Sequence, residues 1–395
     1  MARSLWIIVL SGGAIMGISL GFRQSLGLFL TPISADLEVG RGTFALAMGL
    51  MNLAWGLASP FAGAIADRYG SGRVAAMGGI FYAAGLIAMT LSGEGGQLLI
   101  GGVLIGLGLS GAGFSVILGT VGRAAPPEKR SMALGVASTC GSIGQFIALP
   151  YTHIAIAGFG WLPSLVLLSS TALLMVLLAW GIAGKPSSIE TVDNQTMGQA
   201  FAEAWNHRSF WLLNAGFFVC GFHLAFVAVH LPAYLEDKGF EPWLAVTALT
   251  LVGICNIVGS YVCGVLGGMC AKNTVLSLLY LARATIFFVF LMVPVTEVSV
   301  LIFSAAIGFL WLGTVPLTSG LVAGIFGTTY MSMLFGIVFL GHQFGGFLGA
   351  WLAGYFYDAM GSYDAMWWLS VALGLVSALL HWPITERPVA RLAVS

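Results

Sequence analysis

The chain has 395 residues, of which 58 % are hydrophobic and 8 % charged, with fifteen Lys and Arg against fifteen Asp and Glu. A water-facing surface takes about 25 % charged residues, so a soluble enzyme, a secreted domain and a disordered chain are all excluded. Zero net charge gives no basic footprint for a nucleic acid. The solvent of this chain is a lipid bilayer, crossed many times.

After Arg3 an apolar stretch runs from Leu5 nearly to Pro32, far beyond the roughly 7–15 residues of a signal-peptide core. It is expected to stay as a first spanning helix. A crossing needs roughly 20 apolar residues, and twelve such segments follow in order: 5–33, 43–66, 73–92, 97–121, 131–157, 161–183, 209–235, 243–268, 273–293, 298–323, 332–356 and 364–384. None shows the strict alternation of a barrel strand. The expected fold is an all-α membrane protein of twelve transmembrane helices in two pseudo-symmetric six-helix bundles.

The longest polar stretch, 184–208, separates an N-terminal half (1–183) from a C-terminal half (209–395) and includes a predicted surface helix at Met197–Trp205. The halves echo each other: LeuTrp at 5–6 and PheTrp at 210–211, Gly63 and Gly264. Repeated halves about an axis along the membrane normal are one plan of secondary transporters. With the N-terminus inside, Arg3, Arg68, Arg73, Arg123, Lys129, Arg130, Lys185, Arg208, Lys272, Arg387 and Arg391 fall on one side and Arg41 and Lys238 on the other. The positive-inside rule then puts both termini in the cytoplasm. Trp6, Trp161, Trp180, Trp211, Trp243, Trp367 and Trp382 stand at predicted span ends, as an aromatic belt requires. Five cysteines with no CxxC pair read as packing residues.

Between the second and third segments stands Gly63-Ala-Ile-Ala-Asp67-Arg68-Tyr-Gly70-Ser-Gly-Arg73. This resembles the G-x-x-x-D-R-x-G-R-R-[KR] signature of the major facilitator superfamily, with Ser71 and Gly72 where the family prefers basic residues. The second-half copy, Gly264 to Lys272, lacks the acid. The resemblance implies a conformational latch of Gly63, Asp67, Arg68, Arg73 and Arg123, joined in one state and broken in the other. GlyPheArgGln at 21–24 and AlaTyrLeuGluAspLysGly at 233–239 are similar to the bacterial branch near monocarboxylate and oxalate/formate carriers. One departure is that the family's carboxylate-binding arginine of span eight aligns with Ser260 and its acidic neighbour with Asn256. Span five also lacks the Gly-Pro of the drug/proton antiporter motif.

No Asp or Glu falls mid-span, whereas Arg23 and Arg283 do. A cation at the bilayer centre costs about 2.5–3.5 kcal/mol on insertion scales, so an anionic substrate is the natural missing partner, and a guanidinium can grip a carboxylate through two parallel bonds. Arg23 lies on a small, partly polar face with Gly12, Met16, Ser19 and Gly27, and the resemblance sets span one against the central cavity. Arg283 can reach inward or bond a neighbour's carbonyls. His223 and His342 are candidate proton carriers, and Gln145, Asn256 and Gln343 are candidate polar contacts. The expected function is therefore a secondary transporter, not an enzyme, moving a small organic anion (a carboxylate) by alternating access with proton symport. Anion exchange and proton-coupled efflux of a drug or metabolite are the alternatives. The expected partners are substrate, protons and lipid. A monomer in a bacterial inner membrane is expected, with neither cofactor nor metal.

Overall fold

The structure is a computed structural model and describes residues 4–91, 95–183, 195–327 and 330–393, with the side chains of residues 67, 68, 123, 127–132, 134, 138, 332 and 393 outside that description. Among the described residues the regular structure is entirely helical. Eleven helical segments are long and apolar enough to cross a bilayer: Leu5–Asp36, Arg41–Ala66, Ser71–Thr90, Gly96–Gly122, Trp161–Ile182, Arg208–Asp237, Pro242–Met269, Lys272–Met292, Glu297–Phe326, Met333–Met360 and Asp364–His381. A further long helix, Pro127–Phe159, covers the fifth predicted segment. Counting it as helix five, these segments are numbered one to twelve in chain order. The surface helix forms at Met197–Trp205, its start closed by a reciprocal capping box between Thr196 and Gln199.

Two helices are broken at places that matter below. Helix four stops at Ala112 and restarts at Phe114, around an extended Gly113. Helix ten divides into Glu297–Phe309 and Thr314–Phe326, which frees backbone carbonyls at Leu310 and Trp311. Irregular backbone at membrane depth is tolerated only where protein or a water-lined cavity satisfies it.

The apolar interior forms two large clusters. One is built from helices one to six, with Ala225, Val229, Ala233 and Ala350 joining from later helices. The other is built from residues beyond Ala204, with Leu28 and Leu149 joining from earlier ones. Trp367 belongs to the second cluster rather than to an aromatic belt. It is 1 % exposed and packs on Phe226, Tyr234 and Phe290 at ring separations of 4.9–5.2 Å. Trp6, Trp180, Trp211, Trp243 and Trp382 are exposed, as a belt requires.

Helix eleven touches two neighbours through two glycine faces. A Cβ on Gly341, Gly345 or Gly349 would collide with Asn214, Phe218 or Phe222 of helix seven. A Cβ on Gly346 or Gly354 would press on Asn52 or Ala45 of helix two. Small residues at this spacing let backbones approach closely. Helix two follows helix eleven from Gly42 beside Asp358, past Gly49 beside Phe347, to Gly56 beside Gln343. Beyond that point a Cβ on Gly63 or Gly336 would meet nothing within 4 Å among the described residues, and Ala62 and Ala66 form a small cluster with Val116 and Val74. Helices five and eight meet at Gln145 and Gly253, while Gly135, Gly264 and Gly268 lie in open space. The two clusters are therefore joined at the end remote from the chain termini, and among the described residues the glycines at the termini end meet no neighbour across the gap.

Candidate functional site

The predicted polar residues fall into two groups, which meet where His342 hydrogen-bonds Cys220. Arg23, His342 and Gln343 come together halfway along their helices, where the two halves still touch. Arg23 donates from Nη2 to Asn52 Oδ1 at 2.8 Å, and its guanidinium lies 5.2 Å from the Trp55 ring centroid. Asn52 in turn donates to the Met48 carbonyl and faces Gly346. Trp55 meets Phe339 of helix eleven edge-on at 5.3 Å. Phe339 stacks on His342 at 5.6 Å, and His342 Nδ1 donates to Gln343 Oε1 at 2.9 Å. Gln343 is fully buried, with its Cβ against Gly56, one residue beyond Trp55.

Two donors in this group are buried without a partner: Nε of Arg23 and Nε2 of Gln343. A buried polar group left unpaired costs roughly 1–3 kcal/mol, and more when charged. The orphans therefore mark a place for a hydrogen-bond acceptor. No carboxylate lies mid-span to supply it.

In the second group, Gln145 stands on the seam of helices five and eight. Asn256 accepts from Ser260 Oγ and from the Leu312 amide at 3.0 Å each, holding the break in helix ten. Arg283 is fully buried and donates to the Leu310 and Trp311 carbonyls at the same break, and to Cys220 Sγ at 3.3 Å. His223 Nε2 donates to the Ser370 carbonyl at 2.9 Å, with its ring on Phe287. Arg283, Asn256 and His223, expected to contact substrate, are thus engaged with each other's neighbourhood among the helices beyond Ala204. Both Nη atoms of Arg283, Nε2 of His223 and Oδ1 of Asn256 have partners there, while Arg283 Nε and His223 Nδ1 are buried without one, as Arg23 Nε is. Cys220, read from sequence as a packing residue, is a polar junction that also meets Thr314 Oγ1 at 3.3 Å.

The site at the halves' contact includes three residues that sequence reasoning missed: Asn52, Trp55 and Phe339. Asn52 is the strongest lost signal, a lone amide in an apolar run. Sequence reasoning also missed the lock at the sealed end. Arg41 opens helix two and donates through both Nη atoms to both oxygens of Asp237, at 2.6 Å each. The Arg41 and Gly42 amides donate to Asp358 at 2.9 and 2.7 Å, using the donors a helix start leaves free. Arg41 also reaches Tyr363 Oη at 3.1 Å and lies 4.0 Å over the Tyr357 ring. Tyr363 passes its own proton toward His230 Nδ1, while His230 Nε2 donates to the Ala350 carbonyl at 2.8 Å. Burial pushes the Tyr363 phenol up, so it stays a donor.

In the signature segment, helix two runs to Tyr69 and helix three starts at Ser71. Gly70 makes the turn at φ 97°, a conformation that favours glycine. Arg73 is exposed there. The side chains of Asp67, Arg68 and Arg123 lie outside the described residues.

Helices that cross a bilayer, a seal at one end and a polar contact at mid-depth define a membrane transporter. Residues 9–332 match the Major Facilitator Superfamily, and the chain belongs to that family. It is 28 % identical over 378 residues to monocarboxylate transporter 13 of Rattus norvegicus, covering 91 % of this chain and 84 % of that one. It is 24 % identical over 359 residues to the uncharacterized MFS-type transporter YcxA of Bacillus subtilis, covering 87 % and 86 %. Among solved structures it resembles a bacterial homologue of the human lysosomal transporter Spinster, in an inward-facing and unoccupied conformation. That likeness has a TM-score of 0.75 at 13 % identity over 96 % of both chains, and it concerns the fold. The protein is an integral, multi-pass transporter related to monocarboxylate-like and other small-molecule carriers.

Proposed function

We propose that this protein carries a small organic monoanion, a carboxylate, by alternating access, with Arg23 as the anion's anchor. The observation that carries the reading is the half-buried Arg23 guanidinium, which donates to the neutral Asn52 and whose buried Nε has no hydrogen-bond partner among the described residues. The similarity to monocarboxylate transporters supports the same class. Twelve crossings in two six-helix bundles are the architecture of this reading, with residues 1–183 and 209–395 as the halves and both termini in the cytoplasm of a bacterial cell. The paired apolar clusters support it. The termini end then faces the cytoplasm. The signature residues Gly63, Asp67, Arg68, Arg73 and Arg123 latch that end in the opposite state, and Asp67→Asn slows exchange between the two.

Moving a lone anion into a negative-inside cell costs about 2.3 kcal/mol per 100 mV. One proton per monoanion cancels that cost. His342 adjoins the site and is the protein group placed to carry the proton, whereas His223 is directed at Ser370. Carboxylate uptake into proteoliposomes under an imposed pH gradient tests the coupling. Symport gives accumulation driven by the gradient alone. Accumulation that needs a preloaded counter-anion replaces symport with exchange.

A further inference from the structure

The surroundings of Arg23 are aromatic as well as cationic. Trp55, Phe339, His342, Phe217 and Phe335 form one continuous series of ring contacts at 4.7–6.4 Å. Phe335 and Phe339 are only partly buried, and Gly336 between them stands in open space toward the termini end. A substrate entering from the termini end therefore meets ring surface first and the guanidinium last. The two orphan donors, Arg23 Nε and Gln343 Nε2, flank the stretch of helix two that carries Asn52, Trp55 and Gly56. One guanidinium with neutral neighbours balances one negative charge and leaves none over for a second.

Resting on the anion reading, we infer that the substrate is a planar aromatic monocarboxylate. Its carboxylate bonds Arg23 and Gln343, and its ring covers the open faces of Phe339 and Phe335. A two- or three-carbon acid on Arg23 leaves those faces in water. An aromatic body covers them and gains the edge and stacking contacts that ring pairs prefer, worth up to about ten-fold in affinity per contact. Trp55 already lies against the guanidinium, its ring centroid 5.2 Å away.

The test is equilibrium binding to the purified full-length protein in lipid nanodiscs. The probes are benzoate, cyclohexanecarboxylate, acetate and the neutral isostere benzamide. Benzoate is expected to bind at least ten-fold more tightly than cyclohexanecarboxylate or acetate, and benzamide not measurably. Phe339→Leu should cost benzoate about ten-fold more than it costs cyclohexanecarboxylate, while Phe339→Tyr, which keeps the ring, restores benzoate. Equal affinity for benzoate and cyclohexanecarboxylate, both lost in Arg23→Gln, would overturn the aromatic inference and leave the anion reading standing. Benzamide binding as well as benzoate, or benzoate binding unchanged in Arg23→Gln, would overturn both, as would failure of the folded protein to bind any of the acids.

Discussion

The seal at the remote end rests on Arg41, and replacing it with Gln should unlock that end without unfolding helix two. Gln removes both bonds to Asp237, the bond to Tyr363 and the contact with the Tyr357 ring. It keeps the two backbone bonds from residues 41 and 42 to Asp358, so the helix start stays capped. Charge-assisted bonds contribute about 1.5–3 kcal/mol when shielded, whereas exposed ion pairs contribute at most about 1 kcal/mol. The Arg41 and Asp237 side chains are 13 % and 29 % exposed, between those limits. A net loss of about 2 kcal/mol is therefore expected, which moves the balance between sealed and open forms about 30-fold. Spin labels at Glu38→Cys and Lys238→Cys, both exposed and in opposite halves, report the separation by pulsed electron resonance. The Arg41→Gln protein should gain a population at longer distance, and Asp237→Asn should give a similar shift. The double variant should shift little further, because either change alone breaks the same pair. A distance distribution identical to the unmodified protein's would refute the lock.

Arg283→Leu should destabilise the protein by about 3 kcal/mol, because the Leu310 and Trp311 carbonyls lose their donor inside the second half, and Arg283→Lys should recover only part of it; thermal unfolding in nanodiscs reads both. Gly345→Val should prevent stable folding, since a side chain there meets the Phe218 carbonyl of helix seven, whereas Gly198→Ala on the surface helix meets nothing and should stabilise by about 0.4–1 kcal/mol. An impermeant thiol reagent applied outside intact cells should label Lys238→Cys and spare Asn206→Cys; equal labelling would overturn the twelve-span topology.

Most of the helices were legible in the sequence because length and hydropathy fix them locally. Met197–Trp205 was legible too, since the Thr196–Gln199 box and the polar flanks are local signals. The glycines of helix eleven announced close packing through their four-residue spacing, and the structure adds which neighbour each face meets. Partner choice was not legible. Arg41 and Asp358 are 317 residues apart, and nothing near either residue points to the other. Arg283 and Asn256 are polar in an apolar helix, as a binding residue would be. The break at Leu310–Gly313, marked in the sequence only by Gly313 and by Pro316 just beyond it, shows the backbone that they bond. Arg23 was visible as a mid-span charge, but its aromatic surroundings come from helices two and eleven meeting across the whole chain.

Carboxylate recognition turns on one guanidinium, that of Arg23. Counterflow of radiolabelled carboxylate in proteoliposomes, with the unmodified protein and Arg23→Gln reconstituted at equal amounts, isolates its role from any driving force. The expected result is carboxylate exchange by the unmodified protein and at least a hundred-fold less by Arg23→Gln, as loss of a charge-assisted grip of about 3 kcal/mol requires. Undiminished exchange by Arg23→Gln, or counterflow of a neutral or cationic solute where carboxylates give none, would contradict it.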